Sequence, residues 1–169
     1  MTLGGEFLDY SASKLRELTS RIETCLGELS EEQVWARGKE SENAVGNLVL
    51  HLSGNVGQWI VSTIGGQLDQ RVRDAEFAAR GGARKAELAA RLHSTMEAAL
   101  QVIGGLREEQ LAARHVIQGY DVSVLEAIYH VVEHFSMHTG QIIFITKLLT
   151  TADLGFYRHL ESASGKTAP

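Results

Sequence analysis

His130-Val-Val-Glu-His134-Phe-Ser-Met-His138-Thr-Gly-Gln141 sets three of the chain's seven histidines at every fourth residue, inside a longer segment whose apolar residues recur at helical spacing. That spacing lines three imidazoles along one side of a single α-helix. The helix is expected over about residues 122 to 149, with an apolar stripe through Val124, Ile128, Val131, Phe135, Ile142, Ile145 and Leu149. Asp121 or Ser123 supplies its cap. At ~100° per residue from Val131, His138 stands roughly 20° from the stripe, His134 roughly 60° and His130 roughly 100°. His134 and His138 therefore face inward as a pair, with His130 on the flank. With a rise of ~1.5 Å per residue, His130 and His138 lie about 12 Å apart along the axis, too far to share one ion through bonds of about 2.0 Å.

Two imidazoles rarely complete a metal site, so a further ligand has to come from another helix. His51, set between Leu50 and Leu52, is the best candidate. It falls about 100° from the stripe of its own helix, which suggests a site at the edge of the core. His115 is expected in a loop, His93 on an outer helix face and His159 near the chain's end, each solvated.

Three more long helices surround this one. The first is expected over about residues 7 to 29, after which Ser30 caps a short turn with Gln33 at the third helical position. The second begins at Ser41-Glu-Asn-Ala44, places Val45, Leu48, Leu52, Val56, Trp59 and Thr63 in the core, and ends at Gly65-Gly66. A third runs from about residue 84 to 103 with Leu88, Leu92, Met96, Ala99 and Ile103 inward, and stops at Gly104-Gly105. Residues 65–83 carry charges and glycines with little periodicity, and read as a long loop over the end of the molecule. The connection over 107–121 and this loop are expected to line the pocket beside the site. Without convincing alternating strands, the pattern is that of an all-α four-helix bundle, one domain over residues 1–160 with a disordered tail at 161–169.

The whole composition narrows the function. A net charge of -5 and 16 scattered basic residues offer no general attraction for nucleic acid or an anionic membrane surface. No stretch is apolar for long enough to span a bilayer, and Met1-Thr-Leu-Gly-Gly-Glu-Phe7 lacks a secretion pattern, so a cytoplasmic protein is expected. The only cysteine, Cys25, keeps step with Leu15, Leu18, Ile22 and Leu29, which predicts a core residue rather than a reactive thiol. On the second helix Leu50, Gly54, Gly57 and Val61 form a further apolar or small line, read either as tight packing or as a homodimer face, with the homodimer favoured.

Taken together, Asn47-Leu-Val-Leu-His51-Leu-Ser-Gly-Asn55 and His134-Phe-Ser-Met-His138-Thr-Gly-Gln-Ile142 make the chain resemble the DinB-like superfamily from Phe7 to Leu149. The resemblance implies a four-helix bundle with a long cross-over and a divalent metal, zinc, nickel or iron, on three histidines that match His51, His134 and His138. It further implies a small-molecule substrate and a metal-dependent enzyme. The chemistry is that of an S-transferase using a low-molecular-weight thiol such as bacillithiol, mycothiol or glutathione, or of a hydrolase; a non-catalytic metal-binding or dimerisation bundle is the alternative. Many relatives carry arginine before Gly140 where this chain has Thr139, so an anion contact made there is missing. Asn55 and Gln141 each lie one turn beyond a ligand and are expected to support it, to hydrogen-bond a substrate, or to be solvated. His130 neighbours the site, Glu126 is placed one turn before it to orient its ring, and Glu133 points away as a surface charge.

Overall fold

Thr2 starts the first helix by accepting a hydrogen bond from the Gly5 N–H at 3.2 Å, four residues ahead of the expected start. The computed structural model describes residues 2–158 and 160; His159 and residues 161–169, with the expected tail, lie outside the described residues. Helix α1 spans Leu3–Glu28, and the Ser30–Gln33 capping box read from the sequence opens α2 at Glu31–Trp35. Helix α3 spans Val45–Val56 and continues as a π-helical segment over Gly57–Ile64, where the Gly65 N–H donates to the Ile60 carbonyl five residues back at 2.9 Å. Then come α4 (Arg73–Ala78), α5 (Lys85–Gly104), a 3-10 turn (Glu108–Ala112), strands β1 (Arg114–Ile117) and β2 (Tyr120–Ser123), and α6 (Val124–Leu149). Ser123, not Asp121, caps α6.

Side-chain contacts fix the direction of each long helix. Lys85 reaches the carbonyl of Leu29 at 2.7 Å while His93 lies 3.4 Å from Glu23, so α1 and α5 are antiparallel. Gly57 faces Thr95 and Gly65 faces Val102, so α3 and α5 are parallel. His51 meets His134 whereas Trp59 lies on His130, so α3 and α6 are antiparallel. Two parallel neighbours in succession oblige residues 65–84 to run back along the bundle, and this is the long cross-over. Leu15, Ile22, Leu48, Leu52, Leu92, Ile128, Phe135 and Ile142 fill the space between the four helices. Cys25 sits among them fully buried, and burial pushes its thiol up, away from the reactive thiolate.

The structure corrects several expectations. Residues 65–83 are not a loop over the molecule's end but a segment docked along α3 and carrying α4. Trp35 Nε1 donates to the Ala83 carbonyl at 3.0 Å, and Asn47 Nδ2 donates to the carbonyls of Glu76 and Ala79 at 2.8 and 2.9 Å. The small-residue line on α3 is covered by that segment and by α5, because a Cβ on Gly54 would overlap the Glu76 carboxylate and one on Gly57 would touch Thr95. At Gly54 and Gly57 the line packs within the chain. Thr63 is only half-buried while Ile60 is fully buried, since π winding turns the chain less per residue and shifts the stripe.

The 107–121 connection, read without strands, contains an antiparallel hairpin in which Ile117 pairs with Tyr120 and Arg114 with Ser123. Its two-residue turn puts both Gln118 and Gly119 in the left-handed region, at φ 53° and 86°. His115 lies half-buried on β1 rather than in a loop, whereas His93 is exposed as expected. Among the described residues no helix is long and apolar enough to cross a membrane.

Candidate metal centre

Three ring nitrogens converge between α3 and α6. His134 Nε2 lies 3.0 Å from His51 Nε2 and 3.1 Å from His138 Nε2, and one ligand atom from each ring falls within 4.8 Å of the others. Donor nitrogens on a tetrahedral ion with bonds of about 2.0–2.1 Å stand about 3.3 Å apart, close to the observed spacing. The structure thus brings together the His134–His138 pair read from spacing and His51 from another helix, with the ring at the middle of the cluster supplied by His134.

What holds each ring is visible at its other nitrogen. His51 Nδ1 lies 3.0 Å from Glu76 Oε2; a carboxylate only accepts, so Nδ1 carries the hydrogen and Nε2 presents its lone pair. Arg71 donates from Nε to Glu76 Oε1 at 2.8 Å and from Nη2 to Oε2 at 3.0 Å, a two-pronged grip on the same carboxylate. Burial pushes the Glu76 carboxyl up, but hydrogen bonds from His51 and Arg71 and their charges outweigh it, and the net position is below the usual carboxylate range. On the opposite ring, His138 Nδ1 lies 2.6 Å from Gln141 Oε1, which accepts its hydrogen and again turns Nε2 towards the cluster.

His134 differs from both. Among the described residues its buried Nδ1 has no hydrogen-bond partner, and neither has Oδ1 of Asn55, one helical turn beyond His51 on α3. Burial, then the neighbouring His138, His51 and His130 and the charge of Arg71, push the His134 imidazolium down to about 3. The ring is neutral near neutral pH, as a metal ligand must be. Burial likewise lowers His138, against the pull of Gln141.

The flank reads differently from the sequence. His130 stacks on Trp59 with ring centres 4.1 Å apart and stays 5.5 Å from the His134 ring, outside the donor set. Glu126 does not orient it, because its carboxylate accepts from the Ser123 N–H at 2.6 Å and pairs with Arg114. Glu133 is exposed, as expected. Thr139 is buried and donates to the Phe135 carbonyl at 2.8 Å, so it serves the helix rather than the site.

His51 is deeper than an edge position would be, at 5% exposure, because the cross-over brings Glu76, Arg71 and Phe77 over it. None of these three was singled out from sequence. Nor was Gln118, whose Nε2 donates at 2.7 Å to Gln58 Oε1, the same oxygen that accepts from Arg71 Nη1 at 3.0 Å. A cavity of about 600 Å³ borders Gln141, but it is walled by residues 36–43, α3 and the second half of α6 instead of by the two connections.

Residues 2–161 match the family model described as a protein of unknown function, DUF1572. The chain belongs to the DUF1572 family. No curated protein matches it. Among solved structures, this DUF1572 chain is similar to a conserved protein from Enterococcus faecalis with a TM-score of 0.71, at 16% identity over 88% of this chain and 97% of that one. A DinB-like protein from Bacillus cereus superposes with a TM-score of 0.67, at 12% identity over 85% of this chain and 90% of that one. At such identities the shared property is the fold, and the DUF1572 chain has the DinB-like bundle that its sequence resembles.

Proposed function

We propose that this DUF1572 protein binds one divalent ion on His51, His134 and His138 and acts as a metal-dependent transferase on a small-molecule thiol. One observation carries the reading: the Nδ1 hydrogens of His51 and His138 are taken by Glu76 and Gln141, which leaves their Nε2 lone pairs aimed at His134 Nε2. Two lone pairs converging beside a third imidazole make the donor set that a divalent cation takes up. Zinc, nickel and iron all suit imidazole donors.

When bound, a divalent ion supplies a Lewis-acid centre that favours the ionised form of a thiol or of water. Everything else is done by the chain. Glu76, itself clamped by Arg71, fixes the tautomer of His51 and keeps a negative charge behind it. Phe77 packs on the His51 ring at 4.6 Å and screens that side from water. Cys25 is locked in the core, so an attacking sulfur has to arrive on a small molecule. A hydrolytic reaction would draw on the same residues, and turnover assays separate the two.

Metal content measured by plasma mass spectrometry on untagged protein tests the reading. Near-stoichiometric metal in wild type, lost in both His51→Ala and His138→Ala, is expected; thiol consumption and ester hydrolysis are then compared on the loaded protein. Protein that stays metal-free after incubation with zinc or nickel would overturn the proposal.

A further inference from the structure

The cavity beside Gln141 carries a ligand chemistry of its own. Its wall is apolar along Leu48, Phe144, Ile145 and Leu148, and two of these are left open to solvent, Phe144 at 63% and Leu148 at 69%. A concave apolar wall of about 600 Å³ with few polar groups is the usual form of a small-molecule site. Along α6 it runs from Gln141 to Leu149, about 12 Å at ~1.5 Å per residue, which suits a short linear chain.

Arg37 brings the cavity its one positive charge. Its Nη2 donates to Asn47 Oδ1 at 3.0 Å and to the Ala79 carbonyl at 3.3 Å, and these anchor the half-buried side chain. Among the described residues it forms no ion pair, and its Nε and Nη1 have no partner. The one carboxylate in the lining, Glu42, is tied back to its own turn, its Oε2 accepting from the N–H groups of Gly38 and Lys39 at 2.8 and 3.1 Å. Gln141 spends its oxygen on His138 and keeps its amide N–H groups for a visitor. Free donors beside an apolar wall match a ligand with a carboxylate head and an apolar tail.

We infer that this cavity is a binding site for a linear aliphatic carboxylate, the head on Arg37 and the tail along Phe144 and Leu148. Asn47, which anchors Arg37, lies four residues before His51, about 6 Å along α3, so the head end is the end nearer the three histidines. The site goes beyond the metal reading and stands without it.

Calorimetric titration of the full chain, stripped of metal, with octanoate, 1-octanol and octylammonium tests this. Octanoate is expected to bind saturably, one per chain and about tenfold more tightly than octanol, the scale of one charge-assisted hydrogen bond, with octylammonium weakest. Arg37→Gln should remove the preference for octanoate over octanol. Phe144→Glu, at an exposed position, should weaken both ligands, with circular dichroism showing that each variant is folded. No saturable heat, equal binding of octylammonium, or a preference that survives Arg37→Gln would overturn the assignment. So would sedimentation showing that Phe144→Glu splits a dimer, because the cavity would then be covered by a second copy. His51→Ala, which removes a ring outside this cavity, is run alongside and is expected to lose zinc uptake and keep octanoate binding, so failure of the metal reading and failure of this one are told apart.

Discussion

Glu76 is the residue on which the proposed centre leans most without touching the three ring nitrogens that face inward. Outer partners of metal-bound histidines are worth about 10- to 100-fold in affinity. Glu76→Gln keeps an acceptor but loses the charge and half of the Arg71 clamp, so zinc affinity is expected to fall within that range, as read by competition against a chromophoric chelator. Asn55 makes a prediction about stability. Its buried Oδ1 has no partner among the described residues, and an unpaired buried acceptor costs about 1–3 kcal/mol. Asn55→Leu should therefore raise the urea midpoint of the metal-free protein. A fall in metal-free stability would show that the Asn55 acceptor is satisfied in solution. At this scale the sequence revealed His134 and His138 through their spacing and His51 as a histidine set in the apolar run of another helix, but Glu76 and Arg71 stand 25 and 20 residues from His51 with no periodicity to connect them.

The cross-over is the element that turns an edge histidine into a buried one. It docks through Asn47 and Trp35 and through the missing side chain of Gly54, where the Glu76 carboxylate lies. Gly54→Ala is expected to destabilise the fold by about 1–3 kcal/mol, the usual consequence of overpacking, and to expose residues 65–84 to limited proteolysis. Acid should undock the same segment. The Glu76 carboxyl is lower in the folded state than in the unfolded chain, so its contribution is present above the unfolded value of about 4.3 and is lost as pH falls through the folded one. Protease sensitivity of the cross-over measured from pH 7 downward is expected to rise in that window, and less so in Glu76→Gln. The four long helices were readable because each repeats its apolar residues at helical spacing. The cross-over was not, because its order comes from side chains that meet α3 backbone and Gly54, contacts that leave no local period. The hairpin was masked by strands of four residues, although Gln118-Gly119 between Ile117 and Tyr120 is a recognisable two-residue turn.

For the molecule as a whole, metal and stability are expected to be linked. An ion that binds only the folded chain at 100 times its dissociation constant adds about 2.7 kcal/mol. In a chain of this length that is a rise in Tm of about 5–10 °C, to be measured with zinc and with chelator in wild type and in His51→Ala. An unchanged Tm in wild type would argue against a site formed by folding. His51 and His134 are 83 residues apart in sequence and come from helices on either side of the cross-over and the hairpin. An ion joining them ties the chain into a ring that takes in the cross-over, α5 and the hairpin. Closing a loop of that length covalently is worth about 4–5 kcal/mol in chain entropy. Chelator and zinc would then act on this cysteine-poor bundle as reductant and oxidant act on a disulfide, opening and closing a staple that no thiol in the chain can form.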